Sequence, residues 1–304
     1  MMEVLLGGTG GTMPLKNRWL CCCFIRQQGH TMLIDCGEGT QIALKCAGVS
    51  FQGIDYLCFT HYHADHISGL VGLLLSMGNE GRTAPLTILG PVGLQRTIEG
   101  LRVIAPELPF ELILCELTED AHAFPFGDAT VTAFPVQHAI PCYGFCVTLP
   151  RAGKFDVVRA KAAGIPQKYW GRLQKMECVT DENGVTYQPS QVLGEPRKGL
   201  KLVYCTDTRP VNAIAKYADG ADLLICEGMY GDPEKLDKAI ETAHMMYSEA
   251  AEIAKLANVG ALWLTHYSPS LSEPEEYLPL AQEIFQQTVC GYDGIRTELR
   301  FVEE

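Results

Sequence analysis

The stretch FTHYHADHISGL, residues 59–70, places three histidines and an aspartate within six positions. The chain has 8 histidines in all, yet three of them follow directly on Tyr56-Leu57-Cys58-Phe59-Thr60, a short apolar run rich in β-favouring residues. The leucine-rich run after Ile67 reads as a helix, so the cluster occupies a strand-to-helix loop. His61 and His63 are two apart and point the same way from an extended backbone. Asp65 and His66 follow where the chain turns and address a second point a few ångströms on. Two such pairs predict two adjacent metal ions. The competing readings are a histidine-rich surface loop or one structural zinc. A structural zinc site closes on four ligands, often cysteines, and no CxxC pair accompanies this cluster.

A metal centre of that kind needs a large folded scaffold, and the composition provides for one. With 304 residues and 47% hydrophobic content, the chain can bury one large α/β core or two small ones, and wholesale disorder is excluded. No stretch approaches the ~18–20 uninterrupted apolar residues of a membrane span, and the N-terminus lacks a basic segment ahead of its short apolar run. A cytoplasmic location is the resulting expectation. The 13 cysteines, including Cys21-Cys22-Cys23, are scattered through apparent strands as small core hydrophobes in a reducing compartment would be, and none is assigned to metal or catalysis.

Short apolar runs at 3–6, 20–25, 31–35, 55–60, 86–90, 110–116, 129–137, 143–149, 201–205, 222–226, 261–265 and 296–301 predict strands. Helices are predicted over 38–48, 66–78, 92–103, 209–218, 246–258 and 274–288. Strands crowd the front half before alternation with helices takes over, which suits two packed sheets with helices outside. Residues 151–200 break the pattern with Gly and Pro punctuation and few core-like runs. From Arg151 to Lys201 there are ten Lys and Arg against five Asp and Glu, a net +5 inside a chain of net charge −12. The overall charge argues against indiscriminate nucleic-acid binding; the local excess points to a basic surface. Phe155, Tyr169 and Trp170 lie among these charges and suit stacking on RNA.

A catalytic dinuclear site draws about seven or eight ligands from several strand ends. Three further polar residues occupy such positions: His138 after an alternating strand, Asp207 in YCTDTRP, and His266 in LTHYSP. His30 and His122 lack this context and are left to the surface.

Taken together, GGTGGTMPLKNR, LIDCGEGTQ, the HxHxDH loop, HAIPCYGF, the basic insert, YCTDTRP, ADLLICEG, HMMYSEAAEIAK and LTHYSP resemble the metallo-β-lactamase superfamily. Within it they resemble the ribonuclease Z family of tRNA 3′-processing endonucleases. HxHxDH alone fixes the superfamily; the DCGEGTQ loop, the insert and the histidine before SEAAEIAK narrow it. The resemblance implies one α/β domain over residues 1–304, a metallo-β-lactamase-type αβ/βα sandwich of two mixed sheets, with 151–200 inserted as a protruding, flexible RNA-binding arm. It also implies two zinc ions per subunit. His61, His63 and His138 would hold one, Asp65, His66 and His266 the other, and Asp207 would bridge them. Asp65 would be the base, His244 the acid that protonates the departing 3′-oxygen, and Glu227 the carboxylate that holds His244. Asp35 reads either as orienting a ligand histidine or as capping the helix predicted over 38–48. The implied substrate is precursor tRNA, cut to leave a 3′-hydroxyl, and the implied assembly is a homodimer.

Three departures from the family pattern stand out. The PxxxRN loop, which discriminates against tRNA already bearing CCA, reads PLKNRW with Trp19 in place of asparagine. CEGM replaces His-Glu-Ala-Thr, and Met246 stands where threonine is usual. Two other functions fit the same ligands: hydrolysis of a small phosphodiester such as a cyclic nucleotide, and RNA binding without catalysis. A remote basic arm serves neither small substrates nor, beside a complete ligand set, a non-catalytic role.

Overall fold

The computed structural model describes residues 1–118 and 121–302. Its strands, in chain order, are β1 (Met2–Gly8), β2 (Cys22–Gln27), β3 (His30–Ile34), β4 (Tyr56–Cys58), β5 (Leu86–Pro91), β6 (Leu112–Leu117), β7 (His122–Phe126), β8 (Ala129–Val136), β9 (Cys142–Arg151), β10 (Val179–Thr180), β11 (Thr186–Tyr187), β12 (Arg197–Cys205), β13 (Leu223–Glu227), β14 (Leu262–Thr265), β15 (Thr288–Cys290) and β16 (Arg296–Leu299). Among the described residues they form two seven-stranded sheets, ordered β16-β1-β2-β3-β4-β5-β6 and β15-β14-β13-β12-β9-β8-β7, and the small hairpin β10-β11. Both sheets are mixed. β16, β1, β2 and β3 pair antiparallel, while β3 to β6 run parallel. In the second sheet β7 to β9 are antiparallel and β12 to β15 parallel. In each sheet, therefore, one set of parallel strands ends along one edge, where α/β proteins collect their sites.

Each sheet buries apolar strand residues under helices. Leu33, Leu57 and Phe59 pack with Leu70, Leu73, Leu74 and Met77 of the helix Leu70–Asn79. Val203, Leu224 and Leu264 pack with Ala250, Ala251 and Ala254 of the helix Tyr247–Leu256, whose alanines let it lie close to the sheet. Burial of each large side chain contributes about 1.5–3 kcal/mol.

The helix expected over 66–78 is instead two, Ala64–Ile67 and Leu70–Asn79, broken at Ser68-Gly69. Two loops interlock at the break. A Cβ on Gly69 would lie 2.0 Å from the Gly37 carbonyl, and one on Gly37 would lie 2.1 Å from that of Asp65. The amides of Cys36 and Gly69 donate to the carbonyls of His66 and Cys36, at 2.8 and 2.9 Å. The helix expected over 274–288 is shorter, Leu278–Ile284, and its end is the strand β15. The strand β7 and the helix Leu236–Glu241 carry too little periodic pattern to be read from sequence.

Residues Leu149–Leu200, with Phe301 and Val302, form a unit of their own. It contains the helices Val157–Ala162 and Trp170–Gln174 and the β10-β11 hairpin. Ala160, Ile165, Leu173, Val179, Val192 and Leu193 make its core. This corrects the reading of the segment as poor in core-forming residues. Phe155 and Trp170 also pack there, ring centroids 5.4 Å apart, and the Trp170 indole donates to the Ile165 carbonyl at 2.9 Å. These rings are engaged in holding the unit together, so stacking on RNA is no longer their evident use. The basic side chains Lys154, Arg159, Lys161, Lys168, Arg172 and Lys175 are exposed.

Candidate metal centre

The site is assembled at strand ends. Asp35 follows β3, Thr60 and His61 follow β4, His138 follows β8, Asp207 follows β12, Glu227 ends β13 and His266 follows β14. Asp35, Asp207 and His266 all have left-handed backbones, with φ of 62°, 48° and 58°. This conformation costs a non-glycine residue roughly 1–3 kcal/mol and persists where the surroundings fix it. Here it turns each side chain off its strand toward a common point.

Two groups of side chains converge. His61, His63, His138 and Asp207 bring one candidate ligand atom each within 4.8 Å of one another, as do Asp65, His66 and His266. The Nε2 of His61 lies 3.0 Å from Nδ1 of His63, which lies 3.2 Å from Nε2 of His138. On the other side the Nε2 atoms of His66 and His266 are 3.2 Å apart. Asp207 stands between. Its Oδ1 is 3.2 Å from both His66 and His266, and its Oδ2 is 3.6 Å from His61 and 3.8 Å from His138.

The protonation pattern suits metal ligands. Asp35, fully buried, accepts from His66 Nδ1 at 2.8 Å, and from the Thr60 amide and hydroxyl at 2.8 and 2.9 Å. The Thr60 oxygen lies 3.0 Å from His61 Nδ1. The Nδ1 of His138 donates to the Ala243 carbonyl at 3.1 Å. With Nδ1 engaged in these three rings, Nε2 carries the lone pair aimed into the cluster. Burial pushes the pKa of His61, His63 and His138 down, keeping them neutral. Burial opposes ionisation of Asp207, but His266, His66 and His61 outweigh it and hold the carboxyl well below the usual range. Burial likewise opposes charge on His66, but the carboxylates of Asp207 and Asp35 overcome it and raise its pKa, so a metal binding at Nε2 would displace a proton from this ring. Among the described residues, no hydrogen bond of ordinary geometry reaches the buried Oδ1 of Asp207. Lone pairs converging on one another, beside an orphaned carboxylate oxygen, are what cations would satisfy. The two groups, joined by Asp207, form a dinuclear His/Asp metal-coordinating cluster of a kind zinc accepts.

Over its full length the chain is 52% identical to the ribonuclease Z of Lachnospira eligens, across 304 residues covering 100% of both proteins. It is 50% identical over 299 residues to that of Clostridium acetobutylicum, covering 96% of each. The chain belongs to the ribonuclease Z family. Among solved structures, the human tRNase Z short form matches with a TM-score of 0.72 at 25% identity, covering 98% of this chain and 100% of that one. A metallo-β-lactamase-fold protein from Bacillus subtilis matches at 0.69 and 21% identity, covering 97% and 98%, which speaks to the fold. The two mixed sheets with outer helices are the metallo-β-lactamase αβ/βα sandwich. A family model described as Anti-Pycsar protein Apyc1 matches residues 2–101, the part from β1 through the histidine loop to β5 and the helix after it.

Beside the metal cluster, this ribonuclease Z chain places His244 with Glu227. His244 Nδ1 is 3.1 Å from Glu227 Oε2 and 3.9 Å from Asp207 Oδ2. Glu227 is wholly buried and also accepts from the amides of Thr208 and Met245. Burial alone would lower the His244 pKa; Glu227 outweighs it, with Asp207 and Asp65 adding, and the value rises to about 9. His244 also lies within ligand range of Asp207 and His266. Asp65 accepts from the Thr12 amide at 2.6 Å and lies 3.4 Å from His266 Nε2. Burial disfavours its charge, but His266 and His66 prevail and hold it well below the carboxylate range.

Every site residue read from the sequence is thus in one cluster. Asp35 orients His66 directly and His61 through Thr60; it caps no helix, since the helix Thr40–Cys46 begins after Gly39. His30 is exposed near Asp55, and His122 lies 3.9 Å from the Cys115 sulfur, apart from these residues. Trp19 lays its ring over Gly39, where a Cβ would lie 2.6 Å away, and its amide donates to Asp293 at 2.6 Å. Arg18 donates to the carbonyls of Leu271 and Ser272, at 2.8 and 3.1 Å, so the family's loop is tied to the segment after His266. Sequence reasoning missed Thr60, Thr12 and the pair Arg209 and Glu249. Thr60 alone carried a signal, its place between a strand and His61.

Proposed function

We propose that this protein is a zinc-dependent endoribonuclease that removes 3′ trailers from tRNA precursors and leaves a 3′-hydroxyl on the tRNA. Membership of the ribonuclease Z family and the dinuclear cluster support a metal-dependent hydrolase acting on RNA. The observation that carries the mechanism is the division of Asp207, one oxygen toward each histidine set, with His244 and Glu227 alongside.

In this reading His61, His63 and His138 would hold one ion, Asp65, His66 and His266 the other, and Asp207 would serve both. When bound, the ions polarise the scissile phosphate and acidify water beside it. Asp65, held ionised, takes a proton from the attacking water as the new P–O bond forms. The bond from phosphorus to the 3′-oxygen breaks, and His244 delivers a proton to that oxygen, giving a 3′-hydroxyl and a 5′-phosphorylated trailer. Glu227 keeps His244 charged until then. Asp35 and Thr60 fix the tautomers of His66 and His61.

The basic unit over 151–200 is proposed to grip the tRNA body, supported by its exposed lysines and arginines. A homodimer is proposed on the family resemblance, with support from Ile42 and Leu75, both exposed on the adjoining helices Thr40–Cys46 and Leu70–Asn79. Location in the cytoplasm is proposed on the thirteen free cysteines; among the described residues, no helix is long and apolar enough to cross a membrane.

The test is to incubate the zinc-loaded protein with a precursor tRNA bearing a 3′ trailer and map both new ends. A cut that leaves a 3′-hydroxyl on the tRNA and a 5′-phosphate on the trailer is expected. Turnover of a cyclic nucleotide without cleavage of the precursor would favour the small-phosphodiester reading, and RNA binding without any cleavage the non-catalytic one.

A further inference from the structure

The segment that carries His244 lies outside regular structure; the Ala243 and His244 amides donate to the carbonyls of Ile240 and Ala239 at 3.2 and 2.8 Å, and side chains hold much of the rest. Ala243 has a left-handed φ of 57°. The Ala243 carbonyl accepts from His138, the Met245 amide donates to Glu227, and the Met246 amide donates to Glu249 at 2.9 Å. The His244 carbonyl itself accepts from the Arg209 guanidinium. Arg209 simultaneously engages Glu249 with two nitrogens, one of them 2.8 Å from Oε2, and both side chains are over four-fifths buried. Its own amide donates to the Gln137 carbonyl at 2.9 Å, next to His138, and it lies two residues after Asp207.

We infer that Arg209, locked by Glu249, is a positioning residue for proton delivery: it fixes the His244 peptide so that the imidazole meets both Glu227 and the departing 3′-oxygen. The planar fork of arginine suits the task. It satisfies the carboxylate with two donors and still presents an N–H to the carbonyl, which a lysine ammonium cannot do in one plane. The Ala239 carbonyl holds only the amide of His244, and Glu249 reaches the Met246 amide; the His244 carbonyl is held by Arg209. Displacing the ring by about 1 Å would cost on the order of 10² in rate, the usual penalty for a misaligned reacting group.

This inference rests on the reading of His244 as the acid, and the experiment separates the two. Arg209→Met, Arg209→Lys and the double variant Arg209→Met with Glu249→Gln are compared with His244→Ala. The double variant removes the ion pair without stranding a buried charge, so it remains informative if Arg209→Met fails to fold. Three quantities are read: single-turnover cleavage of precursor tRNA, hydrolysis of bis(p-nitrophenyl) phosphate, whose leaving group needs no proton, and zinc content.

The expected result is a loss of about tenfold or more in precursor cleavage for Arg209→Met and the double variant, with Arg209→Lys intermediate and KM changed little. Hydrolysis of the nitrophenyl ester and zinc content should match the wild type. In the His244→Ala background, Arg209→Met should add no further loss, because it acts through a group already removed. Wild-type cleavage by the arginine variants would overturn the inference. So would additive loss with His244→Ala, or a parallel fall in zinc and ester hydrolysis. If His244→Ala itself cleaves precursor at the wild-type rate, it is the acid assignment that fails.

Discussion

Replacing Asp35 with asparagine tests how the protein prepares its histidines for metal. The change is nearly isosteric, and asparagine tolerates the left-handed φ of 62° at this position. What changes is acceptor capacity. The carboxylate accepts from the Thr60 amide through Oδ1 and from His66 Nδ1 through Oδ2, each at 2.8 Å, with the Thr60 hydroxyl in reach of both oxygens. The amide can keep its oxygen toward Thr60, but its NH2 then faces His66 Nδ1, and the ring must move its proton to Nε2, the atom aimed at the metal. His61, tied to Asp35 through Thr60, is loosened as well. Loss of such an outer partner typically weakens metal binding about 10- to 100-fold, or roughly 1.4–2.8 kcal/mol at about 1.4 kcal/mol per decade. At fixed free zinc the same amount is lost from the stability of the loaded protein. The metal-free protein should respond differently. Burial raises the Asp35 pKa despite His66 and Thr60, so its negative charge is a cost that asparagine relieves. The substitution should therefore alter metal-free stability less than it alters that of the loaded protein. Competition titration against a chromogenic chelator measures the first quantity, and thermal unfolding with and without chelator the second. Unchanged zinc affinity, or an equal destabilisation in both states, would refute the reasoning.

Asp207→Ala should abolish hydrolysis and lower zinc content below the two ions per subunit expected by metal analysis, since it removes a ligand from both ions; full activity in a metal-free preparation would contradict the two-metal reading. His244→Ala should slow precursor cleavage by about 10² with zinc retained; a variant that loses zinc would make His244 a ligand. Glu227→Gln should move the alkaline limb of the pH–rate profile to lower pH, because Glu227 is the main group raising the His244 pKa toward about 9, so the deficit should grow from pH 6 to pH 8; a profile of unchanged shape would show that Glu227 does not hold the proton. Replacing residues 152–197 with a short Gly-Ser link should preserve zinc content and ester hydrolysis, weaken precursor tRNA binding and flatten its salt dependence; wild-type cleavage and salt response would remove the segment from substrate binding. Leu173→Ala, in the core of that segment, should cost about 2–5 kcal/mol of its local stability, read by hydrogen exchange, and reduce tRNA affinity while ester hydrolysis persists.

The side chains that converge in the cluster were legible in the sequence because metal chemistry restricts residue types so severely. His61, His63, Asp65 and His66 lie in one short loop, and His138, Asp207 and His266 each follow a recognisable apolar strand. His244 and Glu227 needed the family resemblance, since a histidine at a helix start has no local signature of acidity. Its charge comes from a carboxylate seventeen positions away that the fold buries beside it. The same limit explains Arg209 and Glu249, 40 positions apart and unremarkable until the β12 loop and the helix Tyr247–Leu256 bring them together. In the basic segment, composition revealed the charge but not the core, because short helices and two-residue strands carry too few turns for periodicity to show. Phe155 and Trp170 consequently read as exposed stacking groups although they pack on each other. The sequence by itself determined which side chains could bind metal and where the strands run, both being matters of residue type and local pattern. Only the tertiary structure decided which nitrogen of each histidine faces the cluster, how Asp207 divides its oxygens, and which carboxylate stands beside His244. Those depend on hydrogen bonds and burial between segments distant in the chain.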